Sequence, residues 1–255
     1  MKNITITTVC NLKGGTGKTT TVLALSYRLA DKGYKVLAVD FDSQANLTRC
    51  FGQHNQGNDD IYDWIADNKD VRIKINDNLD LVPATKKGVD ALNREFQKDI
   101  VSPSGYLKNQ LSIYDEYDFI VIDVPSLLSY ELTNSLVASD SLIIPVKPDF
   151  LSQEGMDDMN DTIAQFKAIN PSLNLTGVFI NQVRTSVAAH KLGIKEISEK
   201  LKEAQISQYS HIVRESSLIE KAQREHIDFY SDIKKNPGAQ DFAEIVDEFI
   251  EKIGE

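Results

Sequence analysis

Apolar residues along the chain fall into short, nearly unbroken runs separated by longer stretches in which they recur every three or four positions. The runs Ile4–Cys10, Lys35–Asp40, Leu79–Val82, Phe119–Asp123, Leu142–Val146 and Leu175–Asn181 are rich in Val, Ile and Leu. Strict alternation would mark strands with one wet face, whereas continuous runs mark strands covered on both sides. Helical spacing fills most of the gaps; Val22, Leu23, Leu25, Leu29 and Ala30 form one stripe, and Gly33 stands where that helix should stop. Strand alternating with helix predicts an α/β fold: a doubly wound, mostly parallel sheet with helices on both faces. Residues 52–78, rich in Asn, Asp and Gly, break this rhythm, with one amphipathic piece at Ile61–Ile65. They read as an excursion at the edge where ligands bind.

At 255 residues, with 41% hydrophobic content, the chain can bury a large core as one domain spanning residues 1–255. No apolar run is long enough to span a membrane, and the N-terminus enters the first strand without a basic region and apolar segment. The expected location is therefore cytoplasmic. Cys10 and Cys50 make neither a disulfide framework nor a metal-ligand cluster, and are expected to be buried, reduced thiols.

Three segments carry chemistry, each at the carboxyl end of a predicted strand, where such sheets bind ligands. The first is Lys13, Gly14, Gly15, Thr16, Gly17, Lys18, Thr19, Thr20, between the first strand and the first helix. Glycines there let backbone amides converge on phosphate oxygens. A helix start adds its dipole, Lys18 supplies a cation for the β- and γ-phosphates, and Thr19 offers a hydroxyl to Mg²⁺. The usual GxxxxGK[ST] spacing would place a first glycine at Leu12, which this loop lacks. The second segment is Val39–Thr48 (VDFDSQANLT), with Asp40 and Asp42 at the end of the second strand. The third is the apolar strand Phe119–Asp123, followed by Val124, Pro125 and Ser126. A carboxylate at that strand tip, Asp123, can hold Mg²⁺ through water.

With its extra lysine at Lys13, the loop resembles the deviant Walker A ATPases, which include the ParA and Soj partition proteins, MinD and the nitrogenase iron protein. The resemblance implies ATP as ligand, Mg²⁺ as cofactor, and a nucleotide-sandwich homodimer in which Lys13 reaches the partner's phosphates. It gives Asp42 the positioning of the attacking water, with help to Mg²⁺. Asp40 is left as a support for the metal shell or the loop, or as a helix cap. Ser43 and Ser126 stand where the family usually has proline. Resemblance continues through Leu79–Thr85, Ile144–Phe150 and Gly177–Asn181; Asn181 matches an adenine-recognising position, or is an ordinary turn asparagine.

Within that family, the iron–sulfur branch needs mid-chain cysteines that are absent. A MinD-type membrane helix should be basic, but Asp241–Glu255 has a mainly acidic polar face, so its apolar stripe reads as the core face of a closing helix. What remains is a ParA-type DNA-segregation ATPase with a centromere-binding, ParB-like partner and nonspecific DNA as its track, hence nucleoid-associated when ATP-bound, and with no membrane partner. The alternative is a MinD-like positioning scaffold that does not bind DNA. The formal charge of −10 opposes general DNA coating, yet Arg184–Lys235 holds ten Lys plus Arg against eight Asp plus Glu. Lys191, Lys195, Arg214 and Arg224 are candidate DNA contacts within that basic strip; interleaved glutamates allow a salt-bridged helical face instead. Ser217 occupies a position where many ParA relatives carry arginine.

Overall fold

The computed structural model describes residues 4–53, 59–98, 104–149 and 153–254. Eight strands form one sheet: β1 (Thr5–Val9), β2 (Val36–Asp40), β3 (Ile73–Lys74), β4 (Leu79–Val82), β5 (Phe119–Asp123), β6 (Ser141–Val146), β7 (Asn174–Val183) and β8 (Gln208–Arg214). Their order is β3-β4-β2-β5-β1-β6-β7-β8, parallel throughout except for the antiparallel β3–β4 pair. The predicted doubly wound α/β class is therefore the observed one.

Alternate residues of the central strands feed two separate cores. Leu37, Val39, Ile120 and Ile122 belong to one cluster, and Val36, Ala38, Phe119 and Val121 to the other. The first is covered by α3 (Ile61–Ala66), α4 (Lys86–Lys98), α5 (Tyr106–Leu111), α6 (Tyr130–Ala138), α7 (Gln153–Ile169) and α8 (Ala188–Glu203). Over the second lie α1 (Lys18–Asp31), α2 (Asn46–Cys50), α9 (Ser217–Glu225) and α10 (Pro237–Gly254). Both faces of β2 and β5 are fully buried, which is why their sequences show no polar alternation.

The closing helix behaves as its stripe implies: Phe242, Ile245, Val246 and Phe249 are at most 1% exposed. None of the described helices is long and apolar enough to cross a membrane. Gly33, with φ of +91°, follows the end of α1 and its amide donates to the Ala30 carbonyl, a helix-terminating geometry. Of the two free thiols, Cys10 is buried and Cys50 only half-buried.

Two strands escaped the sequence pattern. β3 is a two-residue edge inside the supposed excursion, and that segment also forms α3, whose Ile61 and Trp64 are fully buried. Trp64 Nε1 donates to Tyr114 Oη at 2.7 Å, which anchors the segment in the core. Residues 54–58 of that stretch and Phe150 lie outside the described residues. β8 is the other sheet edge, where Ser210 and His211 are exposed and the register against β7 shifts twice, so no apolar run marks it.

Candidate functional site

β1 runs between β5 and β6 and delivers the glycine loop to the middle of the sheet's carboxyl edge. Side chains from both flanks hold the loop. Asn11 Nδ2 donates to the Pro145 carbonyl at 2.8 Å, and its Oδ1 accepts from the Lys13 amide at 2.8 Å. From β7, Asn181 Nδ2 donates to the Thr16 carbonyl at 2.8 Å and Gln182 Nε2 to the Gly15 carbonyl at 3.1 Å. A trans peptide points its N–H opposite to its C=O. Drawing these two carbonyls toward β7 therefore turns the following amides away from it, into the concavity of the loop. Gly15 and Gly17 adopt φ of +73° and +93°. A β-carbon on Gly17 would come within 2.2 Å of Asn181 Nδ2, so only glycine fits there. The first turn of α1 has no side-chain cap, so its amides and dipole stay available to an anion.

Lys18, the first residue of α1, is only 8% exposed, and its Nζ donates to Ser126 Oγ beyond β5. Burial pushes its pKa down, against the opposing fields of Asp123, Cys10 and Asp42. Thr19 Oγ1 donates to Asp123 Oδ2 at 2.7 Å. Asp123 is 1% exposed and its Oδ1 has no hydrogen-bond partner. Burial, then the field of Asp40 beside it in register, drives the Asp123 pKa well above the ordinary carboxylate value. An orphaned carboxylate oxygen next to a hydroxyl is a hard-oxygen pair that fits Mg²⁺. Among the described residues no group of three or more His, Cys, Asp or Glu could hold a metal.

Asp42 is half-buried at the end of β2, and its Oδ1 accepts from the Gln44 amide at 2.9 Å. Asp40 is fully enclosed. It accepts from the Asp42 amide at 3.2 Å, the Thr48 amide at 2.8 Å and Thr48 Oγ1 at 2.7 Å, while Thr48 Oγ1 in turn accepts from the Ala84 amide. Of the readings open for Asp40, the structure favours support of the loop: it ties β2, α2 and the end of β4 together. Burial raises its pKa and the Thr48 contacts lower it.

Lys13, Gly14 and Gly15 are exposed at the loop's rim, and Thr16 is buried beneath it. Thr20 lies one residue past the cradle, where its hydroxyl accepts from Gln223 Nε2 at 3.0 Å. A cleft beside the loop is lined by Thr20, Asn181, Gln182, Glu215, Ser216 and Gln223. Asn181 thus both braces the loop and borders this cleft. Sequence reasoning gave no role to Asn11 or Gln182; Ser126 stood out only as a missing proline. Asn11 and Gln182 flank recognised motif residues, and that adjacency was the available signal.

The basic strip is dispersed over α8, β8, α9 and the short turn Ile233–Lys235, and much of it is engaged. Lys195 pairs with Glu199 at 3.8 Å, Lys221 with Glu225 at 3.8 Å and Lys235 with Asp232 at 3.0 Å. Arg214 grips Asp241 of α10 through Nε and Nη2, both at 2.7 Å, and also reaches the Pro237 carbonyl. Lys191 and Arg224 are exposed on α8 and α9. Arg214 is thus placed as a strut between β8 and α10. Arg214→Gln is expected to lower stability by about 1 kcal/mol, the scale of a well-formed but partly exposed ion pair. A fall in melting temperature with no change in DNA retention would fit this placement; the reverse pattern would contradict it.

Against known proteins, a family model described as AAA domain matches residues 4–175. The sporulation initiation inhibitor protein Soj of Bacillus subtilis is 34% identical over 202 residues, covering 76% of this chain and 78% of that protein. A putative plasmid partition protein of Borrelia burgdorferi, solved bound to AMPPNP, has a TM-score of 0.78 and 25% identity, covering 98% of this chain and 100% of that one. Cobyrinic acid a,c-diamide synthase of Mycobacterium smegmatis, solved with an ATP analog and magnesium, is similar in fold alone. Its TM-score is 0.80 at 21% identity, over 96% of this chain and 93% of that one.

Proposed function

The chain belongs to the ParA/MinD-type P-loop ATPases, and on that premise we propose that it is a single-domain, ATP-switched DNA-partition ATPase. The observation that carries the nucleotide part is the convergence at one loop of Lys18, the Thr19–Asp123 pair and an uncapped helix start. In this reading the turned-in amides of the loop and the α1 dipole cradle the phosphates, and Lys18 leaves Ser126 to neutralise them. Thr19 and Asp123 would hold Mg²⁺, which would supply positive charge to offset that of the phosphates. Asp42 orients the water that attacks the γ-phosphate, and the cleft beside Asn181 receives the base. Lys13, exposed at the rim, reaches the nucleotide of a second copy, so that ATP holds two chains together.

Partition is supported by the likeness to the Borrelia protein, whose name carries that role. A ParB-like partner would stimulate hydrolysis and reset the cycle. Pairing would present two copies of a basic patch to one duplex and so raise DNA affinity in the ATP state. The test is retention of duplex DNA of arbitrary sequence at rising salt, with ATP or with ADP. ATP-dependent retention is expected, with a salt dependence that becomes shallower by roughly one unit for each DNA phosphate the protein no longer neutralises. Changing Lys191 and Lys195 together to glutamine, or Arg224 alone, should make that slope shallower in at least one case. No retention by the ATP form at low salt would favour a nucleotide-switched scaffold for a protein assembly. That second reading draws on the net charge of −10 and on the ion pairs already occupying Lys195 and Arg214.

A further inference from the structure

A third lysine stands at the phosphate loop without a place in the motif. Lys147 follows β6 directly, two residues beyond the Pro145 carbonyl that Asn11 grips, so its backbone is tied to the loop it faces. Its Nζ lies 3.6 Å from where a β-carbon on Gly15 would stand, so an ammonium sits against the exposed glycine rim. The side chain is half-buried and enters no hydrogen bond or ion pair among the described residues. The acid that senses its charge, Glu215, is already engaged at both oxygens by Arg184, at 2.8 Å for the Nη2 contact. Lys13 and Lys18 approach the same loop from its rim and its floor. The Lys18 and Lys147 ammonium groups thus border one glycine turn, an arrangement suited to an anion with several charges.

We propose that Lys147 is a phosphate-contacting residue, part of the polyphosphate cradle alongside Lys18. This rests on the ATP-binding reading above and adds a residue from the end of β6 that the loop motif does not contain. The half-buried position matters, because a cation partly shielded from water interacts more strongly with phosphate than a freely solvated one. Gly15 keeps that approach open: its φ of +73° favours glycine, and a β-carbon there would stand in van der Waals contact with the ammonium.

The test is calorimetric titration of the full chain with Mg²⁺ and AMPPNP, comparing wild type with Lys147→Gln and Lys147→Arg. Glutamine keeps much of the bulk and removes the charge; affinity is expected to fall about tenfold, the size of one charge-assisted hydrogen bond. Arginine keeps the charge and should stay within about threefold of wild type. Without nucleotide, all three should melt together, since nothing in the fold leans on Lys147. Unchanged affinity in Lys147→Gln would overturn the proposal, as would an equal loss in Lys147→Arg or a lowered melting point without nucleotide. Absence of binding by wild type itself would instead reject the ATP-binding reading, and this inference with it.

Discussion

Lys18→Ala is expected to lower ATP affinity by at least a hundredfold, about 3 kcal/mol, because the ammonium is the innermost cation of the loop and its bonds to phosphate are charge-assisted. The fold should survive. Lys18 is held down mainly by burial, and its Ser126 contact joins two loops that other bonds already secure. Removing a desolvated charge also relieves a cost. Calorimetry with ATP and Mg²⁺, beside a thermal melt, separates the two effects: weakened binding at an unchanged melting point is the expected pair. Undiminished affinity would remove the phosphate-loop assignment.

How much of this was readable from the residues depends on how each strand is buried. β4 and β5 coincide with the runs Leu79–Val82 and Phe119–Asp123, since strands covered on both faces need apolar residues at nearly every position. β8 was invisible because an edge strand carries Ser210 and His211 in water, and its irregular pairing imposes no period. α3 was seen as an amphipathic piece, but not as a core element; the Trp64–Tyr114 bond that fixes it joins residues 50 positions apart. The site follows the same rule. Lys18, Thr19 and Asp123 were singled out because phosphate and metal chemistry prescribe their types and spacing, and the structure brings them to one loop. Asn11 and Gln182 act through contacts across strands, and Lys147 stands against the loop from the end of β6; only the order β5-β1-β6-β7 brings them together. Arg214 was legible as a cation but not as a strut, because Asp241 comes from a helix 27 residues away.

Asp42→Ala should have the second large effect, and on turnover rather than binding. The phosphate cradle keeps Lys18, the amides and the Thr19–Asp123 pair, so ATP affinity is expected within about threefold of wild type. Hydrolysis, followed by released phosphate, should fall on the order of a hundredfold or more, the usual consequence of losing the group that handles the attacking nucleophile. Asp40 cannot substitute, because all its contacts are committed to the Asp42 and Thr48 amides and the Thr48 hydroxyl. Equal hydrolysis by wild type and Asp42→Ala would reassign the water-positioning role.

The same variant gives the most direct test of the switch, since slow turnover preserves the ATP state during a measurement. Light scattering of Asp42→Ala with Mg²⁺ and saturating ATP should report twice the chain mass of 28.5 kDa, and a single chain with ADP. Adding Lys13→Ala should return the ATP sample to one chain while nucleotide remains bound. A single-chain mass for Asp42→Ala at saturating ATP, or the same mass with ATP as with ADP, would contradict the account of an ATP-switched dimer.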